Sequence, residues 1–115
     1  MSVPEQRVIA GEAVSRSGRI MVQTTEMGLP TAIDIDRESL RGDPEALAGT
    51  ILRLFEQASA RARMARRDEM AAAGVARDVL DGLGLPTAEE VALAEYVAES
   101  EYDYAPQHWQ GSLYG

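Results

Sequence analysis

The spacing of apolar residues changes once along this chain, and that change constrains the fold more than any other feature. Before residue 37, apolar side chains alternate with polar ones, as they do in strands that bury one face. From Asp43 to about Ala73 they recur every three or four residues, which is typical of a helix. A chain of 115 residues with this order is predicted to form a small α+β domain in which a sheet precedes a long helix.

Three strands are predicted before residue 37, and they follow one another as an antiparallel meander. Ser17-Gly18 predicts a two-residue turn after the first strand, and Gly28 with Pro30 marks the second turn. One face of the sheet is expected to be apolar and the other wet. The strands cover residues 7–15, 19–25 and 31–36, and the apolar face carries Val8, Ala10 and Val14, then Ile20, Val22 and Thr24, then Ile33 and Ile35.

The long helix is predicted to begin at Asp43-Pro44-Glu45, where Asp can cap the first turn and Pro suits the first helical position. Gly74 can end it. At about 1.5 Å per residue the helix would be about 45 Å long, so its far half should overhang the sheet. Residues 75–81 are expected to form a short turn or helix.

A shorter helix is predicted over residues 88–101. Thr87-Ala88-Glu89-Glu90 fits a capping box, in which the Thr hydroxyl and the Glu carboxylate each accept a hydrogen bond from the other's backbone N–H. Residues 102–115 are expected to be a loose tail. The predicted apolar stripe of this helix contains Val91, Ala94, Val97 and Ala98, with Tyr96 beside it.

The formal net charge of −8 belongs entirely to the last third of the chain. Residues 1–77 carry eleven Arg and eleven acidic residues, whereas residues 78–115 carry eight acidic residues and no basic one. Five of the six aromatic residues also lie in the last 20 positions. We therefore predict two parts: a neutral domain over residues 1–77, and an acidic, aromatic C-terminal arm over residues 78–115.

The predicted core is small. One three-stranded sheet and one helix bury little surface, so a monomer of this size would be marginally stable. We predict that the chain forms a homodimer, or is stabilised by a partner, through a sheet edge or the overhanging helix.

Composition argues against several functional classes. The chain has no Cys, which excludes disulfide scaffolds and thiol catalysis, and its one His, His108, argues against a His-based triad or multi-His metal site. No apolar run approaches the ~20 residues that a membrane helix needs, and no signal peptide is visible, so a cytoplasmic location is expected. We predict no enzyme activity, no cofactor and no metal.

Residues 6–67 resemble the YbaB/EbfC family. The likeness is carried by Gly18-Arg19-Ile20-Met21-Val22, by Ile33-Asp34-Ile35-Asp36, and by Asp43-Pro44-Glu45-Ala46-Leu47-Ala48 at the start of a long helix. The resemblance implies a YbaB-like βββα fold that lacks the helix before the first strand. That family is dimeric and described as nucleoid-associated, so the resemblance also implies a DNA-binding alternative.

A second resemblance covers about residues 7–104. The late segment Leu85-Pro86-Thr87-Ala88-Glu89-Glu90, the Ala- and Glu-rich helix after it, and Tyr102-Asp103-Tyr104 are similar to the EspH/EspD-like family of ESX-1 (type VII) secretion-associated proteins. The resemblance implies an accessory role in type VII secretion, such as binding or chaperoning secreted Esp-type partners. Neither Tyr96 nor the later Tyr residues is followed by the Tyr-x-x-x-Asp/Glu export signal, which favours a cytoplasmic helper over a directly exported substrate.

The aromatic side chains of the arm are the predicted partner-binding residues. Aromatic groups in a polar segment provide a large contact area at low entropic cost when they dock. Three docking sites stay open: the chain's own domain, a dimer mate, or a separate partner. The residues are Tyr96, Tyr102, Tyr104 and Trp109.

A cluster of Arg residues near the end of the long helix is the second candidate. It could contact DNA or another anionic partner. Two other interpretations remain: a solvated helix end whose charges suit the helix dipole, or an internal site that the acidic arm covers. The residues are Arg61, Arg63, Arg66 and Arg67.

Overall fold

The protein is a three-stranded antiparallel sheet followed by helices, as predicted for the α+β class. The computed structural model describes residues 9–99, so Val8 and residues 100–115 lie outside the described part of the chain. The strands have the order β1-β2-β3, which is a simple meander. The elements are β1 (Ala10–Val14), β2 (Ile20–Thr25), β3 (Pro30–Ile35), a 3-10 helix (Arg37–Arg41), α1 (Pro44–Ala72), α2 (Arg77–Gly82) and α3, the helical residues 88–99.

The first hairpin is closed by a longer loop than the sequence suggested. The Ser15 N–H donates to the Ile20 carbonyl at 2.8 Å, which leaves a four-residue loop at 16–19 instead of a two-residue turn. Gly18 has a φ of 78°, in the left-handed region that favours glycine. The Ser15 hydroxyl also accepts from the Ile20 N–H at 3.1 Å, so side chains as well as backbone hold this loop.

The predicted boundaries of α1 are confirmed. The Asp43 carboxylate accepts a hydrogen bond from the Glu45 N–H at 3.2 Å, and Pro44 occupies the first helical position. The helix continues for 29 residues and ends at Ala72. Gly74 follows with a φ of 98°, which directs the chain away from the helix axis.

Helix α1 packs directly onto β1 and β2 through very small side chains. The buried residues of β1 are Gly11 and Ala13, which lie on the opposite face from the predicted Ala10 and Val14. A Cβ placed on Gly11 would overlap the carbonyl oxygen of Ala58. This face of β1 is buried because Gly11 and Ala13 are small enough to let the helix backbone approach so closely. Val14 points outward and is half exposed.

The core lies between α1 and the first two strands. Its centre contains Ala13, Ile20 and Val22 from the sheet with Leu54 and Ala58 from α1, and partly buried Ile35, Leu47, Ile51 and Phe55 pack around them. Strand β3 contributes little to this core. Ile33 is paired with the buried Val22 and so faces the helix side of the sheet, yet it is 48% exposed.

The arm folds back beside the C-terminal half of α1. Leu80 of α2 and Val91 of α3 are buried. The capping box predicted at the start of α3 is present: the Thr87 N–H donates to Glu90 Oε1 at 2.9 Å, and the Glu90 N–H donates to Thr87 Oγ1 at 3.1 Å. The described end of α3 at residue 99 agrees with the predicted helix as far as the structure extends.

Candidate functional site

Arg61 of the predicted cluster joins three elements. Its Nε and Nη2 atoms donate to the two carboxylate oxygens of Glu95 in α3, at 2.6 and 2.9 Å. Its Nη1 atom donates to the backbone carbonyl of Glu12 in β1 at 2.8 Å. The hydrogen bonds to Glu95 raise the pKa of the Arg61 guanidinium, and partial burial opposes that shift. Arg61 therefore attaches the acidic arm to the edge of the sheet.

Arg66 makes a similar bidentate contact at the other end of the sheet. Its Nη2 and Nε atoms lie 2.6 and 2.9 Å from Glu26 Oε1, in the turn between β2 and β3, and its Nη1 atom contacts Glu69 at 2.8 Å. The hydrogen bonds to Glu26 raise the pKa of Arg66. Two carboxylates thus surround this guanidinium.

Arg67 is a buried residue, which the sequence did not indicate. It is 7% exposed, and its Nη1 atom donates to the Leu85 backbone carbonyl at 2.6 Å. Its Nη2 atom lies 2.8 Å from Asp81 Oδ1. No periodic signal could have found this contact, because the acceptor is a backbone group 18 residues away.

Arg63 differs from the other three Arg residues of the cluster. Its Nη1 atom donates to the Ser59 hydroxyl at 3.0 Å, and no carboxylate within residues 9–99 forms an ion pair with it. The positive charge available to an external anion is therefore small, because acidic groups of the same chain already contact Arg61, Arg66 and Arg67. DNA contact by these residues stays a prediction.

Helix α3 has two chemically different faces. Val91, Glu95 and Glu99 face the domain: Val91 is buried, and the two carboxylates contact Arg61 at 2.6 Å and Arg16 at 3.7 Å. The sequence had placed Val97 on the buried stripe, but Val97 is 45% exposed. The inward face of this helix is therefore held by the buried Val91 together with salt bridges to Arg side chains.

The outward face of α3 carries an apolar stripe. Tyr96 and Val97 follow Leu93 by three and four residues, so the three side chains lie on one side of the helix. All three are exposed, and Tyr96 is 69% exposed. Tyr96 is the one predicted partner-binding residue within the described part of the chain, since Tyr102, Tyr104 and Trp109 lie outside it.

Four further exposed apolar side chains lie on β3, on the turn before it and on α1. We name them together the β3 surface: Met27, Leu29, Ile33 and Leu52. Leu29 and Leu52 are 64% and 63% exposed, and Met27 is more exposed still. Exposed apolar areas of this kind, when they are contiguous, mark places where proteins bind one another.

One polar recess is lined mainly by paired charges. A cavity of about 230 Å³ lies between the end of β1, α1 and α3. Its charged lining consists of Arg16, Arg53 and Arg61 opposite Glu95 and Glu99, which largely neutralise one another. Within residues 9–99, no three His, Asp or Glu side chains come together in a way that could hold a metal ion.

No helix in the described part of the chain is both long enough and apolar enough to pass through a membrane.

No protein-family model matches the sequence, and neither a curated protein nor a solved structure matches it.

Proposed function

We propose that this protein is a non-enzymatic accessory protein of type VII (ESX) secretion that acts in the cytoplasm as a homodimer. It binds or chaperones secreted Esp-type partners. The sequence resemblance of residues 7–104 to the EspH/EspD-like family supports the choice of system. The exposed surfaces support an interaction protein over an enzyme.

The apolar stripe of α3 is the observation on which this proposal rests. Leu93, Tyr96 and Val97 are exposed. They face outward because the opposite side of the helix carries Glu95 and Glu99, which contact Arg61 and Arg16 of the domain. An exposed aromatic residue flanked by two aliphatic side chains is typical of a helix that docks into an apolar groove. The predicted partner-binding residues Tyr102, Tyr104 and Trp109 follow on the same arm.

The homodimer is supported by the small core. Eight apolar side chains are buried in the described part of the chain, and three of them belong to Ala. A domain of this size gains stability by covering additional apolar surface.

The direct test is co-purification from a host that contains a type VII system. The full-length tagged chain should recover secreted Esp-type proteins. A variant with Leu93→Ser, Tyr96→Ser and Val97→Ser should lose them, because it removes the apolar stripe but leaves Glu95 and Glu99 in place.

The matched control is Ala88→Ser, which changes an exposed residue at the start of the same helix. It should recover partners as the parent chain does. Equal recovery with the triple variant, or recovery of no Esp-type protein by the parent chain, would contradict the proposal.

A further inference from the structure

Within residues 9–99, strand β3 is a free edge of the sheet, because β2 is the strand that pairs with it. It is the last strand in the order β1-β2-β3, and β2 is its main neighbour. At the opposite edge, the backbone carbonyl of Glu12 in β1 accepts a hydrogen bond from Arg61, and α3 lies nearby. From Pro30 to Asp34 every residue of β3 is exposed. An uncovered edge strand presents backbone N–H and C=O groups to any strand that can pair with them.

One side of α1 faces this free edge. Ser59 and Arg66 approach the β2–β3 turn: a Cβ built on Gly28 would lie 3.8 Å from Ser59 Oγ, and Arg66 contacts Glu26. Leu52 precedes Ser59 by seven residues, which is two helical turns, so it lies on the same side of the helix. The exposed Leu52 and the half-exposed Ile33 therefore border the same uncovered region.

We propose that the β3 surface is the contact between two copies of this chain, with β3 pairing antiparallel to its own copy about a two-fold axis. The inference rests on the proposed homodimer and specifies where it forms. The pairing joins two three-stranded sheets into one sheet of six strands. Because the axis is perpendicular to the sheet, both α1 helices lie on the same face, and the two sets of Ile33 and Leu52 side chains meet.

A second copy suits this edge better than an unrelated partner because the surface is self-complementary. Antiparallel pairing of a strand with itself satisfies the same backbone groups on both sides, as an isologous two-fold contact requires. The acidic groups at the end of β3 do not prevent it. Arg19 lies 2.8 Å from Glu38 and 4.0 Å from Asp36, so an internal cation partly neutralises both.

The side chains of β3 favour a register centred on Ile33 over one centred on Asp34. Ile33 lies on the helix side of the sheet, and Asp34, which pairs with Met21, lies on the other side. With Ile33 on the two-fold axis, Ile33 faces Ile33 of the other copy and Asp34 faces Ala32. A shift that keeps the apolar faces together but centres the pair on Asp34 would place two carboxylates opposite each other, which is unfavourable.

The chain has no Cys, so a single introduced thiol can test this register. Full-length Ile33→Cys and Asp34→Cys variants would be examined for mass in solution and for disulfide formation on mild oxidation. We expect both reduced variants to have about twice the chain mass of 12.5 kDa. Ile33→Cys should cross-link readily. Asp34→Cys should not, because its two Cα atoms would lie at least about 7–8 Å apart, beyond the usual disulfide range.

Each of the remaining outcomes contradicts a different part of the proposal. Faster cross-linking of Asp34→Cys would show that the register is wrong. A dimer in which neither Cys links would leave the homodimer standing and exclude β3 as its contact. A single-chain mass would contradict the dimer itself, and slow reaction of the Ile33→Cys thiol with a soluble reagent would then show that the chain covers β3 with its own residues.

A charge variant gives a second measurement. Ile33→Arg should halve the mass in solution while the far-ultraviolet circular dichroism stays that of the parent chain, because Ile33 is half exposed and lies outside the central core. An unchanged dimer mass in this variant would exclude the proposed contact.

Discussion

Single small residues decide how closely the helix approaches the sheet. Gly11 lies opposite Thr24 in the sheet and directly beneath the backbone of Ala58 and Ala62. A Cβ at this position would lie 2.7 Å from the Ala62 nitrogen as well as overlapping the Ala58 carbonyl. Neither clash can be relieved by rotating a side chain, because both involve backbone atoms.

The residue-scale prediction is that Gly11→Ala destabilises the protein by about 1–3 kcal/mol, the usual cost of overpacking a core. The control is Gly49→Ala within α1, where a Cβ would meet no atom within 4 Å. That change should stabilise the protein by about 0.5–1 kcal/mol, because Ala restricts the unfolded chain and favours helix. Urea unfolding measures both free energies. A Gly11→Ala protein with the same free energy of unfolding as the parent chain would contradict the close helix–sheet contact.

At the scale of elements, polar contacts position the arm. Arg61 and Arg67 extend from α1 to Glu95 of α3 and to the Leu85 carbonyl in the connection. Apolar burial is limited to a few side chains such as Leu80 and Val91. Because Asp81 is largely exposed, its ion pair with Arg67 contributes little, and the buried hydrogen bond to Leu85 is the more important contact.

The element-scale prediction compares Arg67→Met with Arg63→Met. Both substitutions remove a guanidinium from the same helix and keep a long apolar side chain. Arg67→Met should lower the free energy of unfolding by about 1.5–3 kcal/mol, because it leaves the Leu85 carbonyl without its charged donor. Arg63→Met should change it by less than about 0.5 kcal/mol. If thermal unfolding shows equal losses, Arg67 does not hold the connection in place.

At the scale of the whole molecule, folding redistributes the charge that the sequence separates. The neutral domain and the acidic arm are not independent surfaces, because Glu95, Glu99 and Asp81 of the arm all contact Arg side chains of the domain. Within the Arg cluster, the arm neutralises Arg61 and Arg67, while Glu26 and Glu69 of the domain neutralise Arg66. The formal net charge of the whole chain stays −8.

This arrangement predicts that the full-length protein does not retard duplex DNA, even at about 50 mM salt, where electrostatic binding is strongest. A companion variant, Glu26→Gln with Glu69→Gln and Glu95→Gln, removes the carboxylates that contact Arg66 and Arg61 and should bind DNA more tightly than the parent chain. Retardation of DNA by the parent chain that weakens steeply with salt would instead favour the nucleoid-associated alternative.

Much of the fold could be predicted from the chain because it depends on local chemistry. Alternating residues predicted three strands, Asp43-Pro44 marked the start of α1, and Thr87 with Glu90 marked the start of α3, since each signal acts within a few residues. The errors concern faces and contacts. The sequence favoured Ala10 and Val14 over Gly11 and Ala13, because alternation cannot show how close the opposing helix comes.

The candidate site was predictable only in part for the same reason. Tyr96 was identified from composition, and its exposure is visible in the structure. The apolar stripe that Tyr96 shares with Leu93 and Val97 could not be identified from the sequence. The orientation of α3 depends in part on the contact of Glu95 with Arg61, which is 34 residues earlier in the chain. The division into residues 1–77 and 78–115 and the partner-binding roles stay predictions.

The α+β class, the order of the elements, their capping residues and the concentration of negative charge in the last third can all be predicted from the amino-acid order. These properties follow from spacing and composition, which are local quantities. Three other properties are visible in the fold alone: α1 covers β1 and β2 but leaves β3 open, acidic residues of the arm neutralise three Arg side chains, and the apolar stripe of α3 faces outward. Those outcomes depend on which distant groups can approach one another, and close packing and ion pairing between remote residues settle them.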